Sequence, residues 1–340
     1  MKLTMLSVAA VMAATIATPA LAQGKLTVYT ALENEQLAPY KKAFEAANKD
    51  IDIRWVRDST GVITARLLAE KDNPQADIIW GVAATSLLIL EQQGMLMPYA
   101  PTGVEALKPG FRDSKNPPAW VGMDAWMGAI CFNTVEAQKR GIAAPKSWKD
   151  LLKPEFKGQV VMPNPASSGT GFLSVSGWLQ GWGADEGWKY MDALNQNVAV
   201  YTHSGSKPCK MAAAGEYVAG ISIEYTGASL KTKGSPIEVI LPSEGSGWEM
   251  EATAIVKGAK NLEAAKKLAD WAASRQANEL YVNYYQVTAM PGITKDTPNY
   301  PKDAEAMMMK NYDFAWAAKN RDAILADWTK RYDSKSEPRG

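Results

Sequence analysis

Apolar and polar positions along this chain follow two periods, and the periods take turns. Residues 25–30 (KLTVYT) and 51–56 (IDIRWV) alternate every second position, and 77–80 (DIIW) is a short apolar run, so all three are expected strands. Between them Leu37, Tyr40, Phe44 and Ala47 recur at helical spacing, as do Ala65, Leu68 and Ala69, and a further helix over 86–93 closes on Gly94. The order βαβαβα predicts a largely parallel sheet with helices on both faces.

A second series follows. Residues 126–133 (WMGAICFN) read as a strand, 144–158 as a Pro-, Lys- and Trp-rich connection, and 159–162 as another strand. Helices are then expected over 170–182, 185–195 and 208–215, with strands at 198–201, 219–224 and 237–241. Residues 251–257 (EATAIVK) return as a strand and lead into a helix over 261–273, with Leu262, Ala265, Leu268, Ala269 and Ala272 on its apolar side. Residues 302–330 are predicted helical, and the polar end DSKSEPRG is expected to fray. The fold class is α/β in two lobes. A discontinuous first lobe takes 23–125 and 252–320, the second takes 126–251, and 321–340 forms a helix end and tail. The strands at 126–133 and 251–257 are the expected crossings.

Residues 1–22 break the alternation. Lys2 precedes an apolar stretch from Leu3 to Ile16, and Ala20-Leu21-Ala22 offers a cleavage signal. Such a core is too short for an anchor, so a secretory leader is expected, with a mature chain starting near Gln23 in the periplasm. No later run approaches the ~20 apolar residues of a membrane helix.

Lys and Arg number 37 against 36 Asp and Glu, and only Lys2 lies in the leader, so the mature chain is neutral. Without a basic block, neither nucleic acid nor an anionic membrane is an expected partner. Cys131 and Cys209 are the two cysteines; one disulfide or two free buried thiols would both fit an exported protein. His203 is the single histidine, so no metal cluster is expected. Neither GxxxxGK[ST] nor a GxGxxG after a strand occurs, and no cofactor is expected.

Three places share one design, a strand end, then small hydroxyl residues and glycine, then a helix start. They are Asp58-Ser59-Thr60-Gly61, Ser167-Ser168-Gly169-Thr170-Gly171 within NPASSGTGF, and Ser204-Gly205-Ser206-Lys207. Backbone N–H groups at a helix start lack partners and carry partial positive charge, glycine lets an anion approach, and hydroxyls add donors. Any one of them is an ordinary N-cap. Together, at strand ends of an open α/β sheet, they suggest an oxyanion held between lobes by amides and hydroxyls. Ser204 to Lys207 also matches SxxK, but the SDN and KTG elements of such serine enzymes are missing. Glu33 and Glu224 fall at predicted strand ends, and Trp80, Trp126, Trp248 and Tyr225 offer aromatic faces that could meet an ammonium group. Oxyanion donors at one end and carboxylates at the other would select a small zwitterion.

These blocks carry a resemblance. WVRDSTGVITARLLAEKDNPQADIIWG, WVGMDAWMGAICFNT, VVMPNPASSGTGFLSVSGWLQ, YTHSGSKPCKMAAAGE and EMEATAIVKGAKNLEAAKKLADW are similar to those of periplasmic solute-binding proteins of ABC importers. The branch is that of ferric-ion, thiamine and phosphonate binders, the 2-aminoethylphosphonate-binding subfamily in particular. The resemblance implies two lobes closing on ligand, a monomer, and permease subunits as partners. The iron binders use a Tyr-Tyr pair where Glu224-Tyr225 stand here and a histidine where Glu33 stands, so the carboxylates suit an aminium rather than ferric iron. Their anion loop matches Ser168-Gly169-Thr170, which with Ser59, Thr60, Gly61, Ser204 and Ser206 would hold a phosphonate. Ferric ion with a synergistic anion, thiamine, a polyamine or an organophosphate are the alternative ligands.

Overall fold

The computed structural model describes residues 24–338; the expected leader lies outside the described residues. The first six elements are β1 (Gly24–Thr30), α1 (Asn34–Ala47), β2 (Ile51–Arg57), α2 (Thr60–Ala69), β3 (Ile78–Ala83) and α3 (Ala84–Gln92). They realise the βαβαβα order. After β4 (Leu96–Met97) come the long β5 (Val121–Asn133), α4 (Thr134–Arg140), β6 (Val160–Pro163), α5 (Gly169–Trp182) and α6 (Ala184–Asn197). Next are β7 (Val198–Thr202), α7 (Lys207–Ala213), β8 (Ala219–Ile223), α8 (Glu224–Thr232), β9 (Ile237–Ile240) and β10 (Trp248–Val256). The chain ends with α9 (Leu262–Ala273), α10 (Arg275–Tyr281), β11 (Val287–Thr288), α11 (Ala304–Met307) and α12 (Phe314–Tyr332).

In the first lobe β1 pairs in parallel with β2 and β3, and β10 runs antiparallel between β3 and β5. The two faces of this sheet follow the period-2 pattern. Leu26 and Val28 of β1 join Ile51, Ile53, Ile78 and Trp80 beneath Tyr40, Phe44, Leu268 and Trp271 of the covering helices. Tyr29 and Ile79 point the other way, onto Ile63, Leu67, Leu87 and Leu90 of α2 and α3. Each such buried side chain stabilises the fold by roughly 1.5–3 kcal/mol. In the second lobe β8 and β7 flank β6 in parallel, while β5 joins β8 and β9 antiparallel. Ile130, Phe132, Val160 and Ile221 pack under Phe172, Trp178, Tyr190 and Trp328. Cys131 faces the opposite side and forms a disulfide with Cys209, Cα to Cα 5.2 Å.

Three expectations shift. The first crossing lies within the strand expected for it, but that strand is longer, running from Val121 to Asn133. Val121–Met127 belongs to the β10 pairing, whereas the stretch from Gly128 onward pairs with β8 and β9. The chain from Tyr312 onward, expected in the first lobe as far as 320, puts Tyr312, Ala317, Ile324 and Trp328 into the core of the second, while α12 also lies against α3 of the first. The polar tail does not fray through Glu337. Its charged groups have partners: the Glu337 amide donates to the Tyr201 carbonyl (2.9 Å), its carboxylate accepts from the His203 amide (2.7 Å), and Lys207 pairs with it.

Candidate functional site

The C-terminal ends of β1 and β2 and the starts of α2 and α5 meet between the lobes around a cavity of about 30 Å³, room for about two waters. Glu33, Ser59 and Thr60 from the first lobe and Ser168, Gly169 and Thr170 from the second line it. With Trp126 and Gly205, which also line it, eight of the sequence-predicted residues converge. Ser168 is the N-cap of α5, its Oγ accepting from the Gly171 amide at 3.3 Å, and both it and Thr170 are buried. Ser59 caps α2 without a side-chain hydrogen bond to the helix, so that hydroxyl is not consumed by capping.

The lobes are closed. The Gly61 amide donates to the Ser167 carbonyl across the cleft at 2.9 Å. A Cβ on Gly61 would lie 2.1 Å from the Ala166 carbonyl oxygen, and one on Gly169 would lie 2.8 Å from Thr60 Oγ1. The two helix starts touch only because both residues are glycine. Gly61 thus locks the lobes with the N–H that the sequence pattern assigned to the anion.

The third predicted donor segment acts indirectly. Gly205 lines the cavity, but Ser204 and Ser206 do not. Ser206 donates to Glu33 Oε2 at 3.1 Å, a second bridge between lobes, and its hydroxyl lies 3.3 Å from that of Ser204. Glu33 also lies 3.7 Å from Arg57 and 3.8 Å from Lys210. Burial raises its pKa, opposed by Lys210 and Arg57.

Of the remaining predicted residues Trp126 lines the cavity, whereas Trp80, Trp248, Tyr225 and Glu224 lie outside the lining. Trp80 is fully buried in the first-lobe core, stacked on Tyr40 and Trp55, with Nε1 donating to Tyr281. It faces that core because β3 is buried on both sides, which leaves neighbours and not alternation to decide its direction. Tyr225 packs edge-on against Tyr284 and Tyr285. Glu224 does not end β8; it opens α8, wholly buried, and accepts from the Met127 amide (3.0 Å) and the Tyr300 hydroxyl (2.6 Å). Burial outweighs those bonds and pushes its carboxyl up to about 7.

Sequence reasoning missed three lining residues that change the chemistry. Arg57 closes β2 one residue beyond the strand end expected at 56, and Nε donates to the Leu32 carbonyl at 3.0 Å. It brings a full positive charge where an uncharged oxyanion site was expected. Glu251, in β10, also lines the cavity; its Oε2 is buried without a partner, and burial, then Glu249 and Glu33, push its carboxyl up to about 8 against Arg57. Tyr285 completes the wall, and Trp126 lines it with an unpartnered indole Nε1. The signal for Arg57 was present, a cation immediately before Asp58-Ser59-Thr60-Gly61. Glu251 opened the strand expected at 251–257, two residues after Glu249, and nothing in that pattern set it apart.

An uncharacterised protein of Haemophilus influenzae is 32% identical over 90% of both chains. A Salmonella typhimurium protein named "Putative 2-aminoethylphosphonate-binding periplasmic protein" is 27% identical over 82% of both. The periplasmic binding protein AfuA of Actinobacillus pleuropneumoniae, with fructose-6-phosphate bound, superposes with a TM-score of 0.85 at 28% identity, covering 92% of this chain and 99% of that one. The family model for bacterial extracellular solute-binding proteins matches residues 73–317. With two lobes closed over a small polar cavity, the chain belongs to that solute-binding family.

Proposed function

We propose that this protein is the periplasmic capture component of an ABC importer and that its ligand is a small amine-bearing phosphonate, 2-aminoethylphosphonate. The observation that carries the reading is the mixed character of one closed cavity. Two helix starts and Arg57 offer donors to an oxyanion, while Glu251 offers an unpartnered buried carboxyl. Thr60 and Ser59 would meet the phosphonate from the first lobe, Ser168 and Thr170 from the second. Each set reaches it only on closure, which gives the ligand its differential affinity for the closed state. Turning a mostly open population into a mostly closed one takes roughly 5 kcal/mol of that difference. The exchange of open and closed forms is the whole mechanism: the ligand is bound and handed to the permease unchanged.

A second reading is a sugar phosphate, favoured by the likeness to AfuA. A phosphate fits the same donors, and Glu251 would then accept from sugar hydroxyls. Titration calorimetry of the mature chain against 2-aminoethylphosphonate, fructose 6-phosphate, inorganic phosphate, ferric citrate and putrescine decides between them. Tighter binding of fructose 6-phosphate than of the aminophosphonate would overturn the first reading. Binding of putrescine alone would overturn both.

A further inference from the structure

Two carboxyl groups beneath the cleft have open acceptors that nothing among the described residues satisfies. Asp124 is fully buried and neither of its oxygens has a hydrogen-bond partner; Glu251 is 5% exposed and its Oε2 has none. They are direct partners across the antiparallel β5–β10 pairing, so their side chains stand side by side on one face. These are the two strands that carry the chain between lobes, and the cavity opens onto Glu251.

We propose that Asp124 and Glu251 share one proton in the empty protein, that the ammonium end of the ligand binds at this pair, and that the shared proton leaves to solvent as it does. The inference rests on the amine-bearing ligand read above. The Tyr40, Tyr281, Tyr285 and Tyr300 hydroxyls that face the pair are pushed well above their ordinary range by burial and stay neutral, and the other carboxylates and the arginine are already engaged. Glu249 of β10 accepts from Thr85 and the Met250 amide, and Glu224 of α8 accepts from Met127 and Tyr300. Glu33 is held by Ser206, Lys210 and Arg57, and Arg57 faces Glu33. Burial and mutual repulsion both disfavour two charges on Asp124 and Glu251, so one proton is retained. An ammonium group brings three donors and one positive charge, which supply the missing partners and make the second ionisation favourable. The ligand keeps its protons, one proton is expelled, and the net charge of the pair with its guest is unchanged.

Calorimetry of 2-aminoethylphosphonate binding at pH 7, in buffers of different ionisation heat, counts the protons released. The wild type should release about one more proton than the double variant Asp124→Asn/Glu251→Gln, which has no carboxyl left in the pair, and the variant should bind roughly ten- to a hundredfold more weakly. Using the same ligand in both cancels its own titration. Equal counts would overturn the release step. Infrared spectra of the ligand-free protein provide an arm that needs no ligand, and Asp124→Asn supplies a second variant. The protonated-carboxyl stretch should weaken in each variant, and a band unaltered in both would overturn the shared proton. If the aminophosphonate does not bind while the band behaves as expected, the ligand reading and the ammonium role both fall, and the shared proton stands.

Discussion

Gly61→Ala separates folding from closure. In the closed protein the added Cβ would lie 2.1 Å from the Ala166 carbonyl oxygen and 2.9 Å from the Ala166 and Ser167 carbonyl carbons. All three are backbone atoms just before α5, so no side-chain rotation relieves the clash. Restoring an ordinary contact of roughly 3.5 Å requires the two helix starts to part by more than about 1 Å. That separation takes the bond from the Gly61 amide to the Ser167 carbonyl, now 2.9 Å, out of range. It also withdraws one lobe's donors from the ligand. Two charge-assisted bonds at roughly 1.5–3 kcal/mol each imply an affinity loss of at least about a hundredfold. Alanine meanwhile favours the helix over glycine by up to about 1 kcal/mol, so the empty variant should melt no earlier than the wild type.

Three measurements check this together: calorimetry for affinity, thermal melting without ligand, and small-angle scattering with it. The wild type should compact on adding ligand and the variant should not. An unchanged dissociation constant with normal compaction would refute the closed geometry at Gly61. A lowered melting temperature would refute the claim that the effect is confined to closure.

Other perturbations test other parts of the site. Ser168→Ala and Thr60→Ala should each weaken phosphonate binding by roughly tenfold, and Arg57→Met by more, read by calorimetry with the melting temperature as control. The stability of the ligand-free protein should fall as pH rises. Glu251 is held near 8 and Glu249 and Glu224 near 7, above the ordinary glutamate value, so the folded state keeps protons that the unfolded chain releases. The stabilisation is complete below about pH 4 and is lost as pH climbs through 7 to 8, so melting temperatures from pH 5 to 8.5 should decline. Glu251→Gln should flatten the upper part of that decline, and an unaltered slope would count against its raised pKa. Replacing both Cys131 and Cys209 by alanine opens a loop spanning 78 residues, a loss of roughly 4 kcal/mol from chain entropy, visible in calorimetric melting.

Local chemistry was legible in the sequence, and long-range register was not. The period-2 run of β1 and the helical spacing of Tyr40 and Phe44 mark their own buried faces, and the core bears them out. Helix starts at Ser59 and Ser168 were legible because N-capping is written in adjacent residues. Arg57 was lost by one residue at a strand end, where boundaries are least determined by pattern. Trp80 and Glu224 were misplaced for a deeper reason. Both lie where β-strands are buried on both faces, so alternation no longer says which face meets solvent.

Asp124 and Glu251 make the same point more strongly. Asp124 is the single acid of β5, Glu251 alternates with Glu249 in β10, and nothing near either in sequence suggests that they pair. They become neighbours only through the register of β10 on β5, which shifts by a bulge between Glu251 and Ala252. A slip of one residue would turn Glu251 to the opposite face from the cleft and leave Asp124 opposite an apolar side chain. The pairing that lets these strands carry the chain between lobes also sets how the cleft distributes charge. On the proposed reading, ligand preference is therefore tied to the register of the crossing strands as well as to the loops that would touch the anion.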